Sequence, residues 1–213
     1  MTRIYLIRHG ETNANNQNII QGWMDTELSE KGKRQIEALA RRFADINIDT
    51  IYSSDLRRAR MTAEAICQVK EIPLRIDRNL RELNMGLWVG RSWDDLVEND
   101  YERTVLFKNT SSLWRAPDGE SFEEARIRLN SALKEIVRKH SGQTVAVVTH
   151  GAVIRHTLAL IKGLSVDETA ALEPYGANTA VTLLEFDHET VKIVFQNDAS
   201  HLNTIAATTS IAP

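Results

Sequence analysis

Residues 3–12 read Arg3-Ile4-Tyr5-Leu6-Ile7-Arg8-His9-Gly10-Glu11-Thr12. The apolar run is typical of a buried parallel strand, and it ends abruptly in an arginine, a histidine and a glycine. Ligand sites of open α/β sheets lie just beyond the carboxyl ends of the strands, so we expect His9 to lie at such a site. Arg8 offers a planar fork of donors suited to a tetrahedral oxyanion, and Gly10 lets the backbone approach a ligand closely. The stretch indicates a phosphate pocket with a catalytic histidine, and it leaves open the alternative of a simple polar turn.

The composition limits the possible functions. The chain has 213 residues and a formal net charge of -3, so it fits one sizeable domain and has no excess of basic residues for nucleic acid or an anionic membrane. Its single cysteine, Cys67, cannot form an internal disulfide, which favours a reducing compartment. No apolar run approaches membrane-spanning length, and no charged and apolar leader precedes the first strand. We therefore predict a cytoplasmic protein that binds neither nucleic acid nor a membrane, and the sequence leaves its oligomeric state open.

Strands and helices alternate along the first 76 residues. After a polar stretch at residues 13–18, which is predicted to be an active-site loop, Ser29 and Asp55 are each placed to cap a helix. Both helices carry apolar residues at spacings of three and four. These residues are Ile36, Leu39, Ala40 and Phe43 in the first helix and Leu56, Ala59, Ala63 and Ile66 in the second. Short apolar runs at residues 50–52 and 74–76 follow the helices, an order typical of βαβ units.

The rest of the chain completes an α/β pattern. Residues 84–120 hold three of the four tryptophans and no convincing long helix, which indicates a small inserted cap. Ser121 and Glu124 form a capping-box pattern before a long amphipathic helix, and residues 144–149 are the most strand-like run. Two strands at residues 180–186 and 191–195 are predicted to form a final hairpin. We predict one domain, residues 1–213, with the cap-like insertion at about 84–120. Its fold class is a three-layer α/β sandwich whose mixed, mostly parallel sheet has helices on both faces.

A second strand end repeats the first. His150-Gly151 follows residues 144–149 as His9-Gly10 follows the first strand. The helices that begin after Asp55 and after Gly151 would direct free amides and positive dipole ends at the same crevice. Three arginines crowd the first turn of the helix after Asp55, and periodicity does not say which of them enters the crevice: Arg57, Arg58 and Arg60. The pattern predicts a cationic site that binds a dianion.

Four motifs resemble, in order and spacing, those of the histidine phosphatase superfamily, the phosphoglycerate-mutase-like proteins. They are Arg8-His9-Gly10-Glu11-Thr12, Ser53-Ser54-Asp55-Leu56-Arg57-Arg58-Ala59, Leu80-Arg81-Glu82-Leu83-x-x-Gly86 and Val148-Thr149-His150-Gly151. The resemblance spans essentially the whole chain. It implies that His9 is the nucleophile that becomes phosphohistidine and that Glu82 is the general acid and base. It also implies that Arg8, Arg58 and His150 surround the phosphoryl oxygens, with a substrate-binding cradle formed by Asn15, Gln21, Gly22 and Gly151.

The implied chemistry needs no metal and no cofactor. In phosphoryl transfer the charge lies on the equatorial oxygens of the transition state, so two arginines can stabilise it by position alone. Residues 84–120 contain four basic and seven acidic residues, too few cations for the second phosphate that a mutase must hold. We therefore predict a metal-independent phosphatase acting on a small phosphomonoester. A cofactor-dependent phosphoglycerate mutase and a non-enzymatic phospholigand-binding protein are the alternatives.

Several residues stay unassigned by the sequence. The spacing of His156 from His150 places it on another side of the same helix, so we expect a surface or packing role. His201 either lines the site or is a surface histidine. The aromatic residues of the 84–120 segment either form an apolar leaving-group pocket or are the core of the segment. They include Trp88, Trp93, Phe107 and Trp114.

Overall fold

A six-stranded sheet forms the centre of the computed structural model, which describes residues 1–172, 175–187 and 190–203. The strands are β1 (Thr2–Arg8), β2 (Thr50–Ser53), β3 (Leu74–Ile76), β4 (Thr144–Thr149), β5 (Val181–Asp187) and β6 (Thr190–Asp198). They lie in the order β3-β2-β4-β1-β5-β6. The first four in that order are parallel, and β5 and β6 are antiparallel additions at one side. The predicted mixed, mostly parallel sheet and its final hairpin are confirmed.

Helices cover both faces of the sheet because successive side chains of a strand point to opposite faces. From β1, Ile4 and Leu6 belong to the apolar cluster that contains helices α6 (Phe122–Lys139) and α7 (Gly151–Ile161). Ile7 belongs to a second cluster, with α2 (Glu30–Ala44) and α3 (Arg57–Lys70). All three side chains have no exposed surface. The predicted three-layer arrangement is therefore confirmed.

Two of the three predicted helix caps are present. The Ser29 side chain accepts a hydrogen bond from the Gly32 amide, and Ser121 forms a capping box with Glu124. The prediction for Asp55 is wrong, because Leu56 is the N-cap residue of α3 and its side chain caps nothing.

The carboxylate of Asp55 is bound instead by Arg81, whose Nε and Nη2 donate to its two oxygens over 2.7 and 2.6 Å. A two-point bond from a guanidinium is stronger than a single amide hydrogen bond, so the carboxylate turns to the arginine. Asp25 binds the start of α3 in place of Asp55, because its side chain accepts a hydrogen bond from the Arg57 amide over 2.8 Å. The first amide of α3 is therefore bonded to the Asp25 carboxylate. We expected this amide to be unbonded and to point into the crevice, and that prediction is wrong.

Short helices occur in the two stretches without clear periodicity. Asn13–Asn16 form α1 inside the predicted loop, held by a capping box of Thr12 and Asn15. The 84–120 segment contains α4 (Trp93–Asn99) and α5 (Tyr101–Lys108). Its Trp114 is buried and lies 4.6 Å, between ring centroids, from Phe122 of α6. The segment thus shares its aromatic core with the main body, and its status as an inserted cap stays a prediction. Within the described ranges, no helix is long and apolar enough to cross a membrane.

Candidate active site

The two strand-end histidines are neighbours because β1 and β4 are adjacent and parallel. Arg8 pairs in register with Thr149, so His9 and His150 follow side by side, with ring centroids 5.2 Å apart. A pocket of about 630 Å³, counted with its open mouth, lies beside them at the carboxyl ends of the strands. It brings together most of the predicted site residues: Arg8, His9, Asn15, Gln21, Gly22, Arg58, Glu82 and Gly151.

His9 is held as a neutral imidazole with one nitrogen available. Its Nδ1 lies 2.8 Å from the carbonyl oxygen of Gly10. Because a carbonyl only accepts, Nδ1 carries the proton and Nε2 keeps its lone pair. Burial, followed by the charges of Arg58 and Arg8, holds the pKa of His9 well below its ordinary value. At neutral pH the side chain is therefore in the form that can act as a nucleophile.

Two arginines bring positive charge to the pocket, where Glu82 interacts with both of them electrostatically. Arg58 is 1% exposed, and its Nη1 and Nη2 donate to the carbonyl oxygens of Met24 and Gly22 over 2.9 and 2.8 Å. Arg8 donates from Nη1 to the carbonyl oxygen of Gly176. Neither forms an ion pair within the described part of the chain, and both Nε groups are buried without a partner there. Burial lowers the pKa of Arg58 to about 10, so it stays charged at neutral pH.

The choice among the three crowded arginines is settled by the packing of α3. Arg58 points inward with Ala59, while Arg57 and Arg60 are exposed and do not line the pocket. A buried, carbonyl-bonded guanidinium with an unsatisfied donor is an arrangement that an anionic ligand would complete.

Glu82 is the carboxylate of the pocket, and it lies at the N-terminus of α7. Its oxygens accept from the backbone amides of Leu83, Ala152 and Val153 over 2.9, 3.2 and 3.3 Å. The first amides of α7 thus reach the pocket as predicted, but they hold this carboxylate. The Glu82 carbonyl oxygen is held in turn by the indole Nε1 of Trp23 over 2.7 Å and by Nη2 of Arg128 over 3.1 Å.

Two side-chain amides line the pocket, those of Asn15 and Gln21. The Oδ1 of Asn15 accepts from the Thr12 amide over 3.0 Å, and the Oε1 of Gln21 accepts from the hydroxyl of Thr26 over 2.6 Å. The Thr12 hydroxyl lies within 3.0 Å of both amide oxygens. Since the oxygens are occupied, the NH₂ groups are the parts left to donate to a ligand.

Two glycines are required by the geometry of the site. Gly22 has φ +46, in the left-handed region, and its carbonyl oxygen binds Arg58. A Cβ at Gly151 would lie 3.1 Å from Nε of Arg8, closer than an ordinary contact. A side chain at this position would displace the guanidinium.

His150 is buried beside His9. Its Nε2 lies 2.9 Å from the hydroxyl oxygen of Ser54, and its Nδ1 has no partner among residues 1–172, 175–187 and 190–203. Burial, followed by the electrostatic interaction with Arg58, lowers its pKa well below the ordinary value. His150 therefore adds a polar atom beside His9 without adding charge at neutral pH.

Comparisons with known proteins agree with this geometry. The family model of the histidine phosphatase superfamily, branch 1, matches residues 4–199. The chain belongs to the histidine phosphatase superfamily. Among its relatives, the probable phosphoglycerate mutase GpmB of Escherichia coli O1:K1 is 38% identical over 164 residues, which are 77% of this chain and 76% of that protein.

Two solved structures illustrate the superfamily fold. YhfR of Bacillus stearothermophilus has a TM-score of 0.91 at 35% identity, over 95% of this chain and 100% of that one. A mycobacterial glucosyl-3-phosphoglycerate phosphatase in complex with VO3 has a TM-score of 0.83 at 28% identity, over 92% and 98% of the two chains. Since the superfamily relatives include phosphatases and a probable mutase, membership alone leaves the phosphoryl acceptor open.

Among the described residues, His156 and His201 lie outside the pocket. His156 is 1% exposed and stacks on Phe122, with centroids 4.4 Å apart, so of the two roles left open by the sequence, surface or packing, it has the packing role. His201 is also buried, and it contacts the hydroxyl of Thr179 and the guanidinium of Arg42 rather than the pocket.

Sequence patterns did not indicate several residues that build the site. Tyr175 lines the pocket from a segment without a motif, and Arg128 reaches Glu82 from the middle of α6. Trp93 and Phe107 line the pocket, whereas Trp88 and Trp114 are buried in the core. The composition of the 84–120 segment could not separate these two pairs, because all four belong to one aromatic cluster.

Proposed function

We propose that this protein is a phosphomonoesterase that hydrolyses small phosphate esters through a phosphohistidine at His9. The observation that supports this most directly is the state of His9. It is a neutral imidazole with a free Nε2, facing a pocket in which Arg8 and Arg58 form no direct ion pair with any described residue. A phosphate ester fits this arrangement, because its negative oxygens can bind the two arginines and its phosphorus can be attacked by Nε2 of His9.

In the first step, Nε2 of His9 attacks the phosphorus, the P–N bond forms and the ester P–O bond breaks. Glu82 gives a proton to the leaving oxygen. In the second step, the Glu82 carboxylate takes a proton from water, whose oxygen attacks the phosphorus, and inorganic phosphate leaves His9. Arg8, Arg58 and His150, together with the amides of Asn15 and Gln21, hold the phosphoryl oxygens in both steps.

Water is the proposed acceptor because, among the described residues that line the pocket, the cations are Arg8 and Arg58, and none is left to hold a second phosphate close to the first. The arginines of the 84–120 segment do not line the pocket and are ion-paired. Arg91 pairs with Asp95 over 2.5 Å, Arg103 pairs with Asp100 over 2.7 Å, and Arg115 pairs with Glu124. A phosphate bound there would have to replace one of these carboxylates as the partner of the arginine. The likeness to GpmB favours a mutase as the second candidate. A protein that only binds phospholigands would have no need of a nucleophile.

Phosphate release tests the proposal. Wild-type protein should release inorganic phosphate from p-nitrophenyl phosphate, and His9→Ala should lose at least about 10³-fold in kcat, as expected when a nucleophile is removed. His140→Gln, which changes a histidine outside the pocket, is the matched control and should retain activity. Acid-labile, alkali-stable label on His9 in quenched enzyme would support the mechanism, whereas label on serine or aspartate would refute it.

The acceptor is tested with 3-phosphoglycerate. The proposal expects phosphate to accumulate at least as fast as 2-phosphoglycerate, with no need for 2,3-bisphosphoglycerate. Rapid interconversion that depends on the bisphosphate, with little phosphate released, would replace this proposal with the mutase.

A further inference from the structure

A second groove adjoins the pocket on the side away from His9. The two share the side chains of Trp93, Phe107 and Tyr175. The groove, about 1200 Å³ with its open side, extends from this aromatic wall to α5, α7 and the turn that follows α7. Its remaining lining residues are Asn18, Lys108, Arg155, Ala170 and Leu172.

Of the described residues that line the groove, the two charged ones are both cations. Lys108 is exposed in the last turn of α5, and no described residue pairs with it. The 84–120 segment around it carries four basic and seven acidic residues, and its other three basic residues are all ion-paired. Lys108 is therefore an unneutralised cation in an otherwise acidic segment, and it is placed beside the site.

Arg155 supplies the second charge. Its Nη2 donates to the carbonyl oxygens of Thr169 and Leu172 over 2.9 and 3.2 Å, and its guanidinium lies 5.5 Å from the ring centroid of Tyr175. Its Nε is buried without a partner, and no carboxylate pairs with it in the described ranges. Carbonyl oxygens fix the orientation of the guanidinium but leave its full positive charge, so Arg155 is preorganised for an anion.

We infer that this groove is a subsite for an anionic group, carboxylate or phosphate, at the far end of the leaving group of the substrate. The inference rests on the proposed function and names its substrate class. The phosphoryl group lies among His9, Arg8 and Arg58, the apolar middle of the leaving group lies against Trp93 and Phe107, and the distal anion lies between Lys108 and Arg155. The two anions are therefore separated by an aromatic-lined passage rather than carried on adjacent carbons.

The ring arrangement supports the apolar middle section. Trp93 and Phe107 lie 5.1 Å apart between centroids and are partly exposed to the pocket. Such faces stack on planar apolar groups at little cost in side-chain entropy, because these side chains rotate about only two bonds. Met85 and Ile20 complete this wall and offer it no charge.

Matched aryl phosphates test the subsite. The probes are phenyl phosphates with a para carboxylate, attached directly or through two methylenes, and each is compared with its carboxamide. The ratio of kcat/KM for the acid to that for the amide is measured for wild type, Lys108→Met and Lys108→Glu. Lys134→Met is the control, because it removes the same charge from an exposed position on α6 outside both cavities. The intrinsic reactivity of each ester is the same for every protein, so it drops out when the acid-to-amide ratio of a variant is compared with that of wild type.

We expect Lys108→Met to lower the ratio about two- to fivefold, and Lys108→Glu to lower it further, as for one exposed ion pair. Lys134→Met should leave the ratio unchanged, and raising the salt concentration should lower the wild-type ratio. Para-phosphooxy phenyl phosphate shows whether a phosphate is preferred to a carboxylate. An equal ratio in wild type and both Lys108 variants, for both tether lengths and for the phosphate, overturns the inference. No phosphate release from any ester by wild type would instead overturn the proposed function.

Discussion

His156→Leu is expected to make the fold more resistant to acid. His156 lies in α7, is 1% exposed and stacks on Phe122, and neither ring nitrogen has a hydrogen-bond partner in the described part of the chain. Burial, followed by the charges of Arg155 and Arg126, lowers its pKa from 6.5 to about 3. The folded protein therefore keeps this imidazole neutral at a pH where the unfolded chain already binds a proton.

The sign and size follow from proton linkage. As the pH falls below 6.5, the unfolded state binds one more proton at His156 than the folded state does, so stability falls until the pH reaches about 3. Between pH 7 and pH 5 this costs about 2 kcal/mol, at about 1.4 kcal/mol per pH unit below the unfolded pKa. That is a large share of the roughly 5–15 kcal/mol by which domains are stable.

Urea unfolding followed by tryptophan fluorescence measures the effect. From pH 7 to pH 5, wild type should lose about 2 kcal/mol more free energy of unfolding than His156→Leu, with similar m-values. The buried His9 and His150 act in the same direction in both proteins and cancel in the difference. The packing change at Phe122 alters stability at both pH values alike. Equal losses in the two proteins would refute the assignment of a neutral, buried imidazole.

Three further predictions concern the site. Glu82→Gln should slow hydrolysis of alkyl phosphates by about 10²–10⁴-fold. Hydrolysis of p-nitrophenyl phosphate should slow much less, because its phenolate leaving group hardly needs a proton, and equal effects on both substrates would count against Glu82 as the proton donor. Gly151→Ala should lower kcat/KM by about tenfold or more with little loss of stability. Its Cβ would lie 3.1 Å from Nε of Arg8 and would shift the guanidinium. Unchanged kcat/KM in this variant would show that activity does not depend on the exact position of Arg8. Activity should survive EDTA, as no described residues form a cluster of three or more His, Cys, Asp or Glu side chains; loss restored by one divalent ion would contradict this.

Much of the fold follows from local patterns. The alternation of apolar residues in β1, with Leu6 toward one helical layer and Ile7 toward the other, follows from the pleat of any strand. The caps at Ser29 and Ser121 act within three residues of themselves, so the sequence predicts them correctly. Asp55 was placed wrongly by the same rule, because its partner Arg81 is 26 positions away and binds it more strongly.

By itself, the sequence predicted the α/β class and the family motifs and, through those motifs, most of the polar residues that the pocket gathers, since these depend on residue type and short-range spacing. Only the tertiary structure decided that Arg58 rather than Arg57 or Arg60 enters the pocket and that Trp93 and Phe107 line it. It alone placed Lys108 and Arg155 on one groove, although they come from different helices. The reason is that the burial of a side chain, the tautomer of a histidine and the pairing of a charge depend on contacts between residues far apart in the sequence. The local spacing of residue types does not predict such contacts.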